Sequence, residues 1–145
     1  EHLVWAARRT AAPHARDQPI ALEIAPEGDL PGLLVDRLQV ELVLRNLLSN
    51  AVESILSSGV APGRVQLIVR RDGADQLRFI ITDNGPGIGL AAGDGVFEPF
   101  VSGKPTGMGL GLAVSRAIAE AHGGTLDAKA VDHGEFHLVL PCLRA

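Results

Sequence analysis

At 145 residues, with 46% hydrophobic and 21% charged residues and a net charge of −4, the chain has the makings of one α/β domain with a real core. The acidic balance, with no basic block, argues against a nonspecific nucleic-acid binder. The single Cys142 excludes an internal disulfide and a cysteine metal cluster and suits a reducing compartment, and no apolar stretch approaches membrane-spanning length. No signal-peptide layout is visible, and a chain that begins at Glu1 without Met reads as a domain excised from something longer.

Leu3 to Arg16 is rich in Ala and Arg and is interrupted by Pro13, so its helical character is weak. Ile20, Leu22 and Ile24 alternate with Ala21 and Glu23, which predicts a short strand. After a Pro- and Gly-containing loop, Asp36 is placed to cap a helix from about Arg37 to about Ser57, ended by Gly59 and Pro62-Gly63. Val65–Val69 and Leu77–Ile81 predict a hairpin turning at Asp72-Gly73. Between Gly85 and Gly107 lies a long connection rich in Gly and Pro, and structureless connections of that length are usually functional. A second helix, Gly109 to about His122, is closed by Gly123-Gly124, and Thr125–Val131 and Glu135–Leu140 predict a last hairpin around Asp132-His133-Gly134. Hairpin strands set between helices predict an α+β fold, a two-layer sandwich with a mixed, mostly antiparallel sheet and helices on one face.

Three segments carry chemistry. Asp83-Asn84-Gly85-Pro86-Gly87-Ile88-Gly89 follows a strand, and Gly107-Met108-Gly109-Leu110-Gly111-Leu112 opens a helix. Glycines at such junctions let backbone approach a ligand, and a helix start offers free N–H groups to phosphate. Asp83 is the acidic group placed to read a base. On the first helix, at about 100° per residue, Asn46, Asn50, Glu53 and Ser57 share one narrow face opposite Leu44, Leu47, Leu48, Ala51 and Ile55. Asn is a mediocre helix former, so two of them one turn apart suggest cation ligation, although a solvated face would look the same.

Taken together, these residues resemble the catalytic, ATP-binding domain of sensor histidine kinases, within the wider group sharing the Bergerat fold. Asn46-Leu47-Leu48-Ser49-Asn50-Ala51-Val52-Glu53 looks like the N box, Asp83-Asn84-Gly85-Pro86-Gly87 like the G1 box, Phe97-Glu98-Pro99-Phe100 like the F box and Gly107–Leu112 like the G2 box. Pro99-Phe100-Val101-Ser102-Gly103-Lys104 and Asn50-Ala51-Val52-Glu53 resemble the oxygen-sensor and nitrogen-regulation subtype.

The resemblance implies one catalytic domain over residues 1–145 with a lid at about 88–106, lacking the dimerisation and phosphoacceptor domain. It implies ATP and Mg²⁺ as cofactors. Asn50 would ligate Mg²⁺, Asn46 would sit beside the phosphates, and Asp83 would accept from the adenine amine. Gly85, Gly87, Ile88, Phe100, Thr106, Gly107, Met108, Gly109, Leu110, Gly111 and Leu112 would line the nucleotide. Lys104, one of two lysines, would serve as the lid cation. Glu53, counted with the cofactor-binding residues, stands where many members carry Lys and would bond a metal-bound water or be solvated, and Glu135 stands where a Thr often sits near the adenine. None of the five histidines has the acidic neighbour and helical setting of the phosphoacceptor; His122, near a helix C-terminus, suits the imidazolium form.

The implied activity is γ-phosphoryl donation to a histidine on a separate dimerisation domain, in a homodimeric parent that signals to a response-regulator receiver domain. The fragment alone would be monomeric and inactive in autophosphorylation, and the setting cytoplasmic even if the parent is membrane-anchored. A serine kinase of the anti-sigma-factor class and a non-catalytic protein-binding module share the fold and stand as alternatives.

Overall fold

The computed structural model describes residues 20–27, 35–59, 62–86, 111–129 and 131–142. Their order is β1 (Ile20–Pro26), α1 (Arg37–Ser58), β2 (Gly63–Arg71), β3 (Gln76–Asp83), α2 (Gly111–Ala121), β4 (Thr125–Ala128) and β5 (Gly134–Pro141). The strands form one sheet in the order β1-β2-β3-β5-β4, parallel only between β1 and β2. Both helices pack against the same face of that sheet, giving the predicted two-layer α+β sandwich. No described helix is long and apolar enough to cross a membrane.

Local chemistry sets the limits of α1. The Asp36 side chain accepts from Gln39 N–H at 3.1 Å, and Gly59, with φ 74°, returns its N–H to the Ile55 carbonyl at 3.1 Å. Between the caps, Val40, Val43, Leu44, Leu47, Leu48, Ala51, Val52 and Ile55 form the buried face, including every apolar position expected from the sequence. That face lies on alternate residues of the sheet: Val65, Leu67 and Val69 of β2, Leu77, Phe79 and Ile81 of β3, and Phe136, Leu138 and Leu140 of β5. Burying each large member is worth about 1.5–3 kcal/mol. Period-two alternation sends Gln66, Arg70, Arg78, Thr82, Glu135 and His137 to the opposite face.

α2 is tied down at both ends. Asn46 on α1 donates to Ser115 Oγ at 3.1 Å and to the Gly111 carbonyl at 3.4 Å. At the other end, His122 accepts from Asp36 N–H through Nε2 at 3.0 Å, while Nδ1 lies 2.8 Å from the Ile118 carbonyl. One ring nitrogen must accept and the other donate, which only the neutral ring with its proton on Nδ1 can do. The imidazolium expected at this helix end is thus replaced by a neutral bridge between the start of α1 and the end of α2. Ser115 is fully buried, so its hydroxyl depends on Asn46. Asn46→Ala is expected to cost about 1–3 kcal/mol, read as a lowered urea midpoint with an unchanged m-value.

Candidate functional site

Asp83 is the last residue of β3, and its position follows from the sheet. It pairs with Val65 of β2 on one side and with Gly134 of β5 on the other, on the helix-facing side. Only 7% of it is exposed, which is unusual for a carboxylate. Its Oδ1 accepts from Gly85 N–H at 2.8 Å, closing an Asx turn that points the chain out of the sheet. Burial pushes its titration above the ordinary aspartate value. The N–H groups of Gly85 and Gly134 and the nearby His133 pull the other way without cancelling that rise.

The glycines here are steric necessities. A Cβ on Gly85 would stand 2.6 Å from Ser54 Oγ of α1 and 2.9 Å from Asp83 Oδ1. One on Gly134 would overlap Asp83 Oδ2. Asn84 holds the same corner from outside the sheet. Its Oδ1 accepts from Arg64 N–H at 2.8 Å, its Nδ2 donates to the Pro62 carbonyl at 2.9 Å, and its own N–H donates to the Arg64 carbonyl at 3.1 Å. The end of β3 is therefore fixed to the start of β2 by three bonds.

Asn46, Asn50 and Glu53 lie half-buried along α1, and Ser57 is exposed. Asn46 is the residue that joins this stripe to the G2 segment: a Cβ on Gly111 would sit 3.7 Å from its Cγ. The structure therefore brings the N-box helix, the end of β3 and the start of α2 together through contacts Asn46–Gly111 and Ser54–Gly85. Leu112 packs half-buried against the core. Gly87, Ile88, Phe100, Lys104, Thr106, Gly107, Met108, Gly109 and Leu110, with the whole expected lid, lie outside the described residues.

On the opposite sheet face runs a chain of polar contacts. His133 lies 3.1 Å from Asp132 Oδ1 through Nδ1 and 2.9 Å from Glu135 Oε1 through Nε2. His137 Nε2 meets Glu135 Oε2 at 2.8 Å, and Arg78 reaches His137 Nδ1 at 2.9 Å and Asp72 Oδ2 at 3.0 Å. Glu135 and Asp132 accept from His133 and raise its titration. Burial would raise Glu135, but the bonds from His137 and His133 outweigh it and hold the carboxylate below its usual range. Glu135 therefore belongs to this network, and the residue facing Asp83 is its neighbour Gly134. Position 135 is thus not the one beside the expected adenine site, because one step along a strand reverses the face.

Gly134, Asn84 and Ser54 are the site residues that sequence reasoning missed. Gly134 looked like hairpin chemistry, and Asn84 like the inert second letter of a glycine box. Ser54 carried no signal at all.

A family model described as "Histidine kinase-, DNA gyrase B-, and HSP90-like ATPase" matches residues 35–144. The C4-dicarboxylate transport sensor protein DctS of Rhodobacter capsulatus is 38% identical over 115 residues, covering 79% of this chain and 17% of that protein. The sensor protein FixL of Bradyrhizobium diazoefficiens is 35% identical over 131 residues, covering 88% and 25%. Among solved structures, full-length ShkA in complex with AMPPNP superposes with a TM-score of 0.81 at 28% identity, over 98% of this chain and 30% of that one. The chain spans less than a third of each of these three proteins.

Proposed function

The chain belongs to the histidine kinase-, DNA gyrase B- and HSP90-like ATPase family, as the catalytic domain of a sensor histidine kinase, and from that footing we propose that it binds Mg-ATP and donates the γ-phosphoryl group to a histidine on a separate dimerisation domain. The observation that carries this reading is the Asp83 carboxylate, buried between two glycines with Oδ1 held by the Gly85 N–H. Such a group is a fixed acceptor for the exocyclic amine of adenine. The oxygen-sensor and nitrogen-regulation subtype rests on the wording of Pro99–Lys104 and Asn50–Glu53 in the sequence. The AMPPNP held by ShkA supports an adenine nucleotide as ligand.

The residues present fit Mg²⁺ as well. Among the described residues no three His, Cys, Asp or Glu side chains converge as a metal cage would require. Mg²⁺ asks for less: one or two protein oxygens, with water and phosphates completing its shell. The carboxamide of Asn50 is the oxygen that would hold it, and bound there it would supply charge to neutralise the phosphates. The chain's own part is positioning, the larger share of phosphoryl-transfer catalysis. Asp83 fixes the base, Asn46 fixes the start of α2 against α1, and Lys104 supplies the lid cation. The histidine that receives the phosphoryl group lies on the dimerisation domain of a homodimeric parent, which passes it to a receiver domain. We place the domain in the cytoplasm and expect it to be monomeric and silent in autophosphorylation when isolated.

Calorimetric titration with ADP and GDP, each with and without Mg²⁺, tests the reading. ADP is expected to bind at least about a hundredfold more tightly, because a site built to pair with one exocyclic group rejects a base that lacks it. Equal affinities for the two nucleotides would sink the assignment.

A further inference from the structure

We propose that six side chains on the open face of the sheet form a proton-dependent strap, whole only when His133 is an imidazolium and His137 is neutral. No ligand enters it, so it stands apart from the nucleotide reading above. The strap runs from Asp72, in the turn after β2, through Arg78, His137, Glu135 and His133 to Asp132, in the turn before β5. Its five links measure between 2.8 and 3.1 Å. Glu135 and His137 are alternate residues of β5 on the face turned away from the helices, and His133 precedes them at the same spacing. Counting donors and acceptors fixes the charge on each ring. Both nitrogens of His133 face carboxylate oxygens, Asp132 Oδ1 and Glu135 Oε1, and an ionised carboxylate can only accept. Only an imidazolium donates from both sides. His137 has the opposite demand. Its Nδ1 faces the Arg78 guanidinium, which can only donate, and its Nε2 faces Glu135 Oε2. Only the neutral ring with its proton on Nε2 meets both partners.

The strap therefore opens at either end with pH. A His133 that loses its proton turns a lone pair on a carboxylate and releases the turn. A His137 that gains one sets an N–H against the guanidinium and releases Arg78. Protons exchange at the His133 end, where the side chain is 41% exposed against 12% for His137. Asp132 is fully exposed, so the more sheltered Glu135 is the partner that holds His133. The other charges around the strap come from each neighbouring strand. Arg70 of β2 stands opposite Arg78, a like-charge pairing that Asp72 and the His137 lone pair relieve. β4 sets Asp127 opposite His137 and 3.4 Å from Arg116 of α2, and Lys129 N–H donates to the Glu135 carbonyl. β3 ends at Asp83, whose carboxylate feels the His133 charge. Bonds to Glu135 and Asp132 raise the titration of His133 above 6.5, so its stabilisation is complete below 6.5 and is lost as pH rises through the folded value.

NMR of the histidine ring nitrogens across pH tests the strap. At the pH where half of His133 has lost its proton, His137 is expected to be neutral with its proton on Nε2. Glu135→Gln, whose amide has one oxygen for two rings, is expected to move the His133 midpoint down toward 6.5. Two rings that titrate together, a neutral His137 with its proton on Nδ1, or a His133 midpoint unmoved in Glu135→Gln would each overturn the proposal. Should Glu135→Gln fold poorly, His133→Gln changes an exposed turn residue and reads the same strap through stability. The urea midpoints of wild type and His133→Gln are expected to differ most below pH 6.5 and to converge in alkali. A gap that stays constant with pH would mean that no proton closes the strap. Nucleotide plays no part in these readouts, so a failure here and a failure to bind ADP are told apart.

Discussion

Replacing Asp83 by Asn is expected to weaken ADP binding about ten- to a hundredfold while leaving the fold standing. A hydrogen bond to a charged acceptor is worth about 1.5–3 kcal/mol, and each 1.4 kcal/mol is tenfold in affinity. The carboxylate offers Oδ1 to the Gly85 N–H and leaves Oδ2 for the ligand. An amide has one oxygen, and its NH₂ must face a donor wherever it turns. Two effects on stability oppose each other. The bond to the Gly85 N–H loses its charge assistance, but a buried charge is removed. Burial raises the folded-state titration of Asp83 above the ordinary value of 3.8, so the folded state holds this proton more tightly than the unfolded one. That stabilisation is complete below the unfolded value and is lost as pH rises through the raised folded one. At neutral pH the ionised Asp83 therefore costs stability, and Asn escapes the cost. The net change is expected to stay within about 1–2 kcal/mol, measured by urea unfolding at pH 7. Nucleotide affinity runs the other way with pH. Binding needs the ionised acceptor, so ADP affinity of the wild type should fall in mild acid, at a pH above 3.8, and Asp83→Asn should lack that inflection. A variant that binds ADP as tightly as the wild type would remove Asp83 from the site.

The same residue shows where the sequence stops speaking. The existence of α1, its Asp36 cap, its Gly59 stop and its apolar face were all legible, because each is a local signal at helical spacing. The alternation of Phe136, Leu138 and Leu140 marked β5 as a strand just as clearly. Nothing local told where β5 goes. It inserts between β3 and β4, and only that long-range pairing puts Gly134 beneath Asp83. Read along the chain, Asp132-His133-Gly134 is turn chemistry. Read across the sheet, its glycine is the floor of a site. His122 misleads for a similar reason: its place at a helix end suggests a cation, whereas its partner Asp36 comes from 86 residues away and needs an acceptor. Ser115 and Ala119 are the fully buried residues of α2, and neither is apolar enough to announce a core face. Glu53 keeps its place on the polar stripe of α1, half-buried beside Ser54.

Gly123 and Gly124 look interchangeable in the sequence and are expected to differ sharply when mutated. Together they close α2 in a Schellman motif: Gly124 N–H donates to the Ala119 carbonyl at 2.8 Å and Gly123 N–H to the Glu120 carbonyl at 3.0 Å. Gly123 supplies the left-handed residue, with φ 78°, and a Cβ there would meet nothing within 4 Å. Gly123→Ala should therefore cost only the backbone strain, about 1–2 kcal/mol. For Gly124 the demand is different. A Cβ there would overlap the Val139 carbonyl oxygen and lie 3.0 Å from its carbon and 3.2 Å from Leu140 Cδ2. Those backbone atoms cannot yield, because β5 is hydrogen-bonded to β3 on one side and β4 on the other. The helix end would have to lift from the sheet, taking buried Ala119 with it. Gly124→Ala is expected to cost at least about 3 kcal/mol, at the upper end of overpacking penalties, because backbone meets backbone. Urea unfolding of the two variants side by side separates the causes. Equal losses would mean that φ alone governs the turn and that the close approach of Gly124 to β5 holds nothing in place.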